Sequence, residues 1–459
     1  MIDAEKSADA RSAGVITSDG RRASVSDLTS QASEMISAHR WDEGARLNKA
    51  IVEVEPGNFR GWAQLGHCEA ELGNVESAIA SYRKALSIEK HAWLHNDLGV
   101  VLIDAGDGAA AAEEFQEAIR LNPTDAMTLA NLGSALRLMK KPVEAREAFE
   151  KAIAIDPANA IAHGNLGNLL RDMGETDAAI RSLQECIRLQ PGSAGYAFLA
   201  GALLEAGRAG DALRALDQAL KVDPVNRTAF AYKSAALQET GDMPGAKFLL
   251  DLDNFIDVKQ FENIAGYPSL ESFNRELETE VLNHRTLSFE RTGNATRFGS
   301  HTSDLLLGAD GAVAAFEGLI NKRVSEYFAN RKIQPDHPFM AHRMKSWSSV
   351  AWGVVMRSGG HQIPHIHPSA WLSGVYYVKV PPSVREDSST REGWIEFGSP
   401  PESLSCKRQQ IRKFFFPQEG KMILFPSYFY HRTVPLASGE ERISIAFDVS
   451  PGPPRRQGT

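Results

Sequence analysis

His365 and His367 stand two residues apart in the segment HQIPHIHPSAWLSGVYYV, and His431 follows 64 residues after His367, just beyond the apolar run KMILFP. In an extended strand, residues two apart face the same side. His365 and His367 can therefore offer two imidazoles to one ion at about 2.0–2.1 Å while Ile366 points away. An antiparallel partner strand can bring His431 alongside them. A lone histidine in a strand is ordinarily structural, but three in this arrangement point to a divalent metal. His361 shares parity with the pair, although Gly359 and Gly360 before it predict a loop. Cys68, Cys186 and Cys406 lie too far apart for a disulfide framework or a thiolate site, so the metal must be held by nitrogen and oxygen.

These histidines need a scaffold, and the second half of the chain supplies strand-like segments. SSVAWGVVMRS, WLSGVYYVKV, GWIEFG, KMILFP and ERISIAFDV alternate or run apolar between Gly and Pro clusters, after helical patterns over 268–284 and 310–330. Short strands following a few helices predict a β-sandwich or jelly-roll with flanking helices. In the last strand, alternation places Arg442, Ser444, Ala446 and Asp448 on one face and Ile443, Ile445, Phe447 and Val449 on the other. A guanidinium grips a carboxylate bidentately and a hydroxyl adds one hydrogen bond, so Arg442 and Ser444 are candidates for holding an acidic ligand; the plain alternative is that both face water. Tyr376 and Tyr377 point to opposite faces, so at most one reaches the interior. Trp347, Trp352, Trp371 and Trp394 are expected to pack.

The first half is periodic. Gly66, Gly99, Gly133, Gly167 and Gly201 are separated by 33, 34, 34 and 34 residues; Pro123, Pro157 and Pro191 keep the 34-residue step, and Ala78, Ala111, Ala145 and Ala179 run in phase. The Gly and Ala allow the two helices of a hairpin to approach, and the Pro ends the second helix. From about Ser24 to Leu250 this resembles the tetratricopeptide repeat (TPR) family in five to six units. The resemblance implies an α-solenoid whose concave surface binds an extended segment or helix of a protein or peptide.

The two histidine segments resemble the double-stranded β-helix of iron(II) and 2-oxoglutarate-dependent oxygenases, in a subgroup with a PHxHP...SGVYYV pattern; GWIEFG, PQEGKMILFPSYFYH and ERISIAF follow in that family's order, and TRFGSHTSDLL is similar to its lead-in. The resemblance spans about residues 255 to 450. It implies His365, His367 and His431 as metal ligands, and Arg442 with Ser444 and Tyr376 as the binding set for 2-oxoglutarate. Fe(II) is the implied cofactor, 2-oxoglutarate and O2 are cosubstrates, and ascorbate is a possible stimulant. His367 stands where the family usually has Asp or Glu. Either three neutral imidazoles bind and the cosubstrate offsets the charge, or His365 and His431 bind alone with water or a carboxylate such as Glu396.

The expected organisation is a disordered segment 1–23, a TPR solenoid 24–250, an oxygenase jelly-roll 251–450 and a flexible tail 451–459. The implied activity is a dioxygenase hydroxylating a protein or peptide recruited by the repeats. Two alternatives stand beside it: a cupin-like metalloenzyme not using 2-oxoglutarate, and a TPR scaffold with a non-catalytic sensor domain. A net charge of -8, with 50 basic and 58 acidic residues scattered along 459, gives no footprint for nucleic acid. With neither a basic, apolar leader nor a stretch of about 18 apolar residues, the expectation is a cytoplasmic protein with no membrane partner.

Overall fold

The computed structural model describes residues 15–16, 22–290, 295–331, 336–342, 344–408, 410–437 and 439–453. The disorder expected over 1–23 falls mainly outside them, as does most of the tail; within the first segment β1 (Val15–Ile16) and β2 (Arg22–Ala23) pair antiparallel. The chain divides into two compact units, Met1–Gln190 and Pro191–Thr459.

The first unit is built of helix hairpins: α1 (Val25–Ser37) with α2 (Trp41–Val54), α3 (Phe59–Glu71) with α4 (Val75–Ile88), α5 (Ala92–Asp104) with α6 (Gly108–Leu121), α7 (Ala126–Leu138) with α8 (Pro142–Ile155), and α9 (Ala160–Asp172) with α10 (Thr176–Leu189). The repeated glycine is explained by the residue sixteen positions on. A Cβ on Gly99 would stand 2.6 Å from the Phe115 ring, one on Gly133 2.6 Å from Phe149, and one on Gly167 2.6 Å from Leu183. The large side chain of each second helix thus fills the notch its glycine leaves, while Ala78, Ala111, Ala145 and Ala179 are fully buried beside it. Inside the hairpins, Gly73, Gly106 and Gly174 take positive φ at the turn, and Lys140 takes the same left-handed conformation at φ 58°.

The second unit begins with two further hairpins, α11 (Ser193–Glu205) with α12 (Ala209–Val222) and α13 (Arg227–Thr240) with the short α14 (Met243–Leu249), then α15 (Leu252–Phe255). They pack onto the β region that follows. The buried Tyr428 hydroxyl donates to the Leu249 carbonyl at 2.6 Å, Phe230 meets the Tyr428 ring edge-on at 5.3 Å, and His337 reaches the Phe248 carbonyl at 3.0 Å.

The strands are β3 (Asp257–Gln260), β4 (Ser288–Phe289), β5 (Thr296–His301), β6 (Trp347–Gln362), β7 (Leu372–Lys379), β8 (Ile395–Phe397), β9 (Lys413–Phe415), β10 (Lys421–Pro426), β11 (His431–Thr433) and β12 (Arg442–Pro451). They form an antiparallel seven-stranded sheet, β3-β10-β7-β12-β6-β5-β4, and a three-stranded sheet, β11-β8-β9. Two sheets enclosing a cavity are what the jelly-roll expectation requires, and the chain is a mixed α and β protein with helical repeats first. The outer face of the large sheet is covered by α16 (Leu270–Asn283) and α17 (Gly311–Asn330), as the helical patterns predict. Gly353 on β6 permits this cover, since a Cβ there would stand 2.6 Å from Val281 of α16. A further short helix, α18 (Pro338–Ala341), precedes β6. No helix among the described residues is long and apolar enough to cross a membrane.

Candidate active site

His365 and His367 do not lie on a regular strand, contrary to the sequence expectation: β6 ends at Gln362, and a bend at Pro364 precedes them. His365 nevertheless forms an antiparallel bridge with His431, its amide and carbonyl each bonded at 3.1 Å, and the His367 amide donates to the Ser427 carbonyl at 2.9 Å. Backbone pairing therefore does what strand parity was expected to do. One ring nitrogen from each of His365, His367 and His431 lies within 4.8 Å of the others.

The hydrogen bonds of the rings settle which nitrogens are available. Nδ1 of His365 meets the Ile363 carbonyl at 2.8 Å, Nδ1 of His431 the Phe429 carbonyl at 3.0 Å, and Nδ1 of His367 the Asp448 carboxylate at 2.8 Å. A carbonyl oxygen only accepts, so Nδ1 of His365 and His431 must carry hydrogen, and in neutral rings Nε2 keeps its lone pair. Burial, then the neighbouring His367, pushes the His365 pKa down to about 3. Burial, then His365 and His367, holds His431 well below the usual histidine range. Neutral imidazoles with Nδ1 anchored by oxygen acceptors are the form a first-row metal takes.

The cavity between the sheets continues past the histidines to Arg442, Ser444 and Ala446 of β12 and to Val375 and Tyr377 of β7. The predicted alternation of β12 holds: Ile443, Ile445, Phe447 and Val449 are fully buried on the other face. Arg442 is only 3% exposed; its Nη1 donates to the Gly393 carbonyl at 2.6 Å, its Nε has no hydrogen-bond partner, and it lies over the Tyr377 ring at 5.6 Å. Burial lowers its pKa. No carboxylate pairs with it among the described residues. A buried guanidinium so placed fits an incoming carboxylate, because leaving it unmatched costs desolvation energy that an anion would recover.

Tyr376 is not brought to this cavity, which corrects its expected place in the binding set. It points to the outer face, where its hydroxyl donates to Asn274 at 2.7 Å and its ring packs between Phe273 and Phe316. Tyr377 faces inward instead. Between them, Ile443 pairs with Lys379 but Ser444 with Tyr377, a one-residue bulge that skips Val378 beside the site. Glu396, the alternative ligand, is also turned away: its carboxylate takes Arg432 at 2.6 Å and Ser399 at 2.6 Å. His361 lies on β6 rather than a loop, bonded to the Gly359 carbonyl at 2.8 Å, and is not in the cluster. Sequence reasoning placed Asp448 on the inner face but gave it no task; it holds His367, and its other oxygen accepts from Ser373 at 2.6 Å.

The cavity is small, ≈ 20 Å³, and its residues Gln362 and Thr433 also line an outer cleft of ≈ 580 Å³ walled by Pro364, Pro400 and Pro401. Trp352 stacks on His367 at 5.7 Å and Phe425 abuts His431 at 4.7 Å; His431 is buried, while His365 and His367 are half-buried.

Residues 350–448 match the family described as "Putative 2OG-Fe(II) oxygenase". Residues 59–91, 125–192 and 199–250 match three tetratricopeptide repeat families. No curated protein matches the chain. Among solved structures it is similar to pilF of Pseudomonas aeruginosa, at 24% identity over 42% of this chain and 90% of that one, with a TM-score of 0.39. It is also similar to a tetratricopeptide repeat protein from Parabacteroides merdae, at 16% identity over 50% and 91%, with a TM-score of 0.43. A third is MamA from Desulfovibrio magneticus, at 20% identity over 36% and 94%, with a TM-score of 0.35. The chain is thus a fusion of tetratricopeptide repeats with a domain of the 2OG-Fe(II) oxygenase type.

Proposed function

We propose that the protein is an iron(II)- and 2-oxoglutarate-dependent dioxygenase that hydroxylates a protein or peptide substrate recruited by its repeats. The observation that carries this reading is Arg442, buried with no carboxylate partner among the described residues, in the same cavity as three imidazoles whose Nδ1 atoms are engaged elsewhere. Bound iron(II) and 2-oxoglutarate would supply dioxygen activation coupled to decarboxylation to succinate, with oxidation of a substrate C–H bond.

The chain's own residues have separable tasks in this scheme. His365, His367 and His431 would hold the metal. Ile363, Phe429 and Asp448 fix the three rings through Nδ1, so that little reorganisation accompanies binding. Arg442 would take the distal carboxylate, with Ser444 adding a hydroxyl donor and the Gly393 carbonyl holding the guanidinium in place. Gln362 and Thr433, which line both the central cavity and the outer cleft, would bring the target group beside the metal, while Trp352 and Phe425 pack against His367 and His431. Repeats on the same chain raise the effective concentration of a bound target.

The test combines two measurements. Purified protein with iron(II), ascorbate and 2-oxoglutarate should form succinate. Anaerobic iron-loaded protein titrated with 2-oxoglutarate should develop a saturable metal-to-ligand charge-transfer band. Metal binding without any saturable 2-oxoglutarate binding would remove the oxygenase reading and favour a cupin-like metalloenzyme.

A further inference from the structure

The charges of this acidic chain are not scattered in space. A groove of ≈ 1070 Å³ runs between the end of α13, with α14, and Arg391, Trp394, Arg408 and the segment 410–414. Every charged side chain lining it is a cation: Lys247, Arg391, Arg408, Arg412 and Lys413. Among the described residues the lining thus holds five cations and no carboxylate, in a chain with 58 acidic residues against 50 basic.

The groove is built by buried bonds. The fully buried Gln238 accepts from the Ile411 amide at 2.6 Å through Oε1, and Glu239 accepts from the Lys407 and Arg408 amides at 2.8 and 3.1 Å. The Glu239 carboxylate keeps its charge but is turned to these backbone donors. Of the five cations, Lys413 is paired with Asp253 at 2.5 Å and Arg412 stands 3.7 Å from Glu396. Lys247, Arg391 and Arg408 have no carboxylate partner among the described residues, and all three are exposed; Arg391 lies over the Phe414 ring at 4.2 Å.

The groove borders the outer cleft, since Gln410 lines both. Trp394 and Ile395, consecutive at the start of β8, face the groove and the central cavity from opposite sides of that wall. We infer that this groove docks an acidic segment of the protein substrate, adjacent in sequence to the residue presented at the metal. The inference rests on the proposal that the substrate is a protein or peptide, and it names the class: targets carrying Asp and Glu beside the modified position. Nucleic acid fits less well, because a longer polyanion would run from this patch onto a surface of net negative charge.

The probe is fluorescein-labelled octaglutamate, its anisotropy measured against the full chain, with labelled octalysine and single-stranded dT12 in parallel. Saturable binding of octaglutamate alone is expected, weakening as salt rises from 50 to 300 mM. The exposed pair Lys247→Glu with Arg408→Glu should weaken it more than tenfold, and the neutral pair Lys247→Gln with Arg408→Gln by a smaller factor, with circular dichroism melting checking that each stays folded. No saturable binding at 50 mM salt, tighter binding of dT12, or binding indifferent to both variant pairs would overturn the inference. Titration of 2-oxoglutarate into the same iron-loaded preparation separates the two readings. Cosubstrate binding without peptide binding removes the groove alone, and peptide binding without cosubstrate binding removes the oxygenase alone.

Discussion

The Asp448 carboxylate accepts from Nδ1 of His367 at 2.8 Å, so the position at which the related oxygenases usually carry an acidic ligand has its carboxylate one residue further out. The negative charge is still in the site, delivered through an imidazole. Asp448→Asn should therefore weaken metal binding by about 10- to 100-fold, measured by competition with a chelator for cobalt(II) or iron(II). His367→Asp alone would place two carboxylates together, and it should bind metal less well than the double variant His367→Asp with Asp448→Asn. Equal affinity of the two would show that Asp448 is not felt at the site.

The three imidazoles are not expected to be equal. His365 and His431 bridge each other through backbone bonds on both sides, whereas His367 hangs from one amide and Asp448. His365→Ala and His431→Ala should each abolish iron binding, and His367→Ala should at least weaken it. Full iron content and turnover in the first two would place the metal elsewhere; intact activity in the third would favour a two-histidine site.

Arg442→Ala should leave iron bound and raise the 2-oxoglutarate constant tens- to thousands-fold, the equivalent of roughly 2–5 kcal/mol for a desolvated charge pair. Lysine should restore only part of this, because a point charge replaces a fork. Ser444→Ala should cost about 0.5–3 kcal/mol. Tyr376→Phe serves as the internal control: it should leave the constant unchanged while lowering thermal stability by roughly 1 kcal/mol through the lost bond to Asn274.

Metal-free protein should be acid-sensitive through its site histidines. His365 titrates at about 3 when folded, against 6.5 when free, so the unfolded chain binds more protons between these values. Stability should be complete above pH 6.5 and fall as pH drops towards 3, by at most about 1.4 kcal/mol per pH unit for this group. His431 acts in the same direction. Urea midpoints at pH 7.5 and 5 should show the loss in wild type and a smaller one in His365→Ala. A pH-independent difference between the two proteins would contradict the shift.

Truncation should distinguish two boundaries. A chain of residues 251–459 loses the Leu249 carbonyl that takes the Tyr428 hydroxyl and the Phe248 carbonyl that takes His337. Each buried group left unmatched costs about 1–3 kcal/mol, so this chain should melt well below residues 191–459, which keep both acceptors. Coincident melting curves would mean the last two hairpins are dispensable to the β region.

Periodic features were legible in the sequence because they are local geometry. A 34-residue step gives helix hairpins, and two-residue alternation sorts Arg442 and Ser444 from Ile443 and Ile445 wherever the strand lies. The histidine set was legible for a related reason, since its three residues sit in two short segments. What the tertiary structure decided was every pairing between distant positions. The glycine of each repeat answers to a residue sixteen positions on. Tyr376 rather than Tyr377 is lost to the outer face because α16 and α17 cover that face. Glu396 is spent on Arg432, its register partner across β8 and β11, and Asp448 finds His367 from 81 residues away. Scattered cations converge on one groove only once Gln238 at the end of α13 takes the Ile411 amide just before β9. Period fixes which way a side chain points relative to its own backbone, whereas its partner depends on register and packing across the whole fold, which no local pattern encodes.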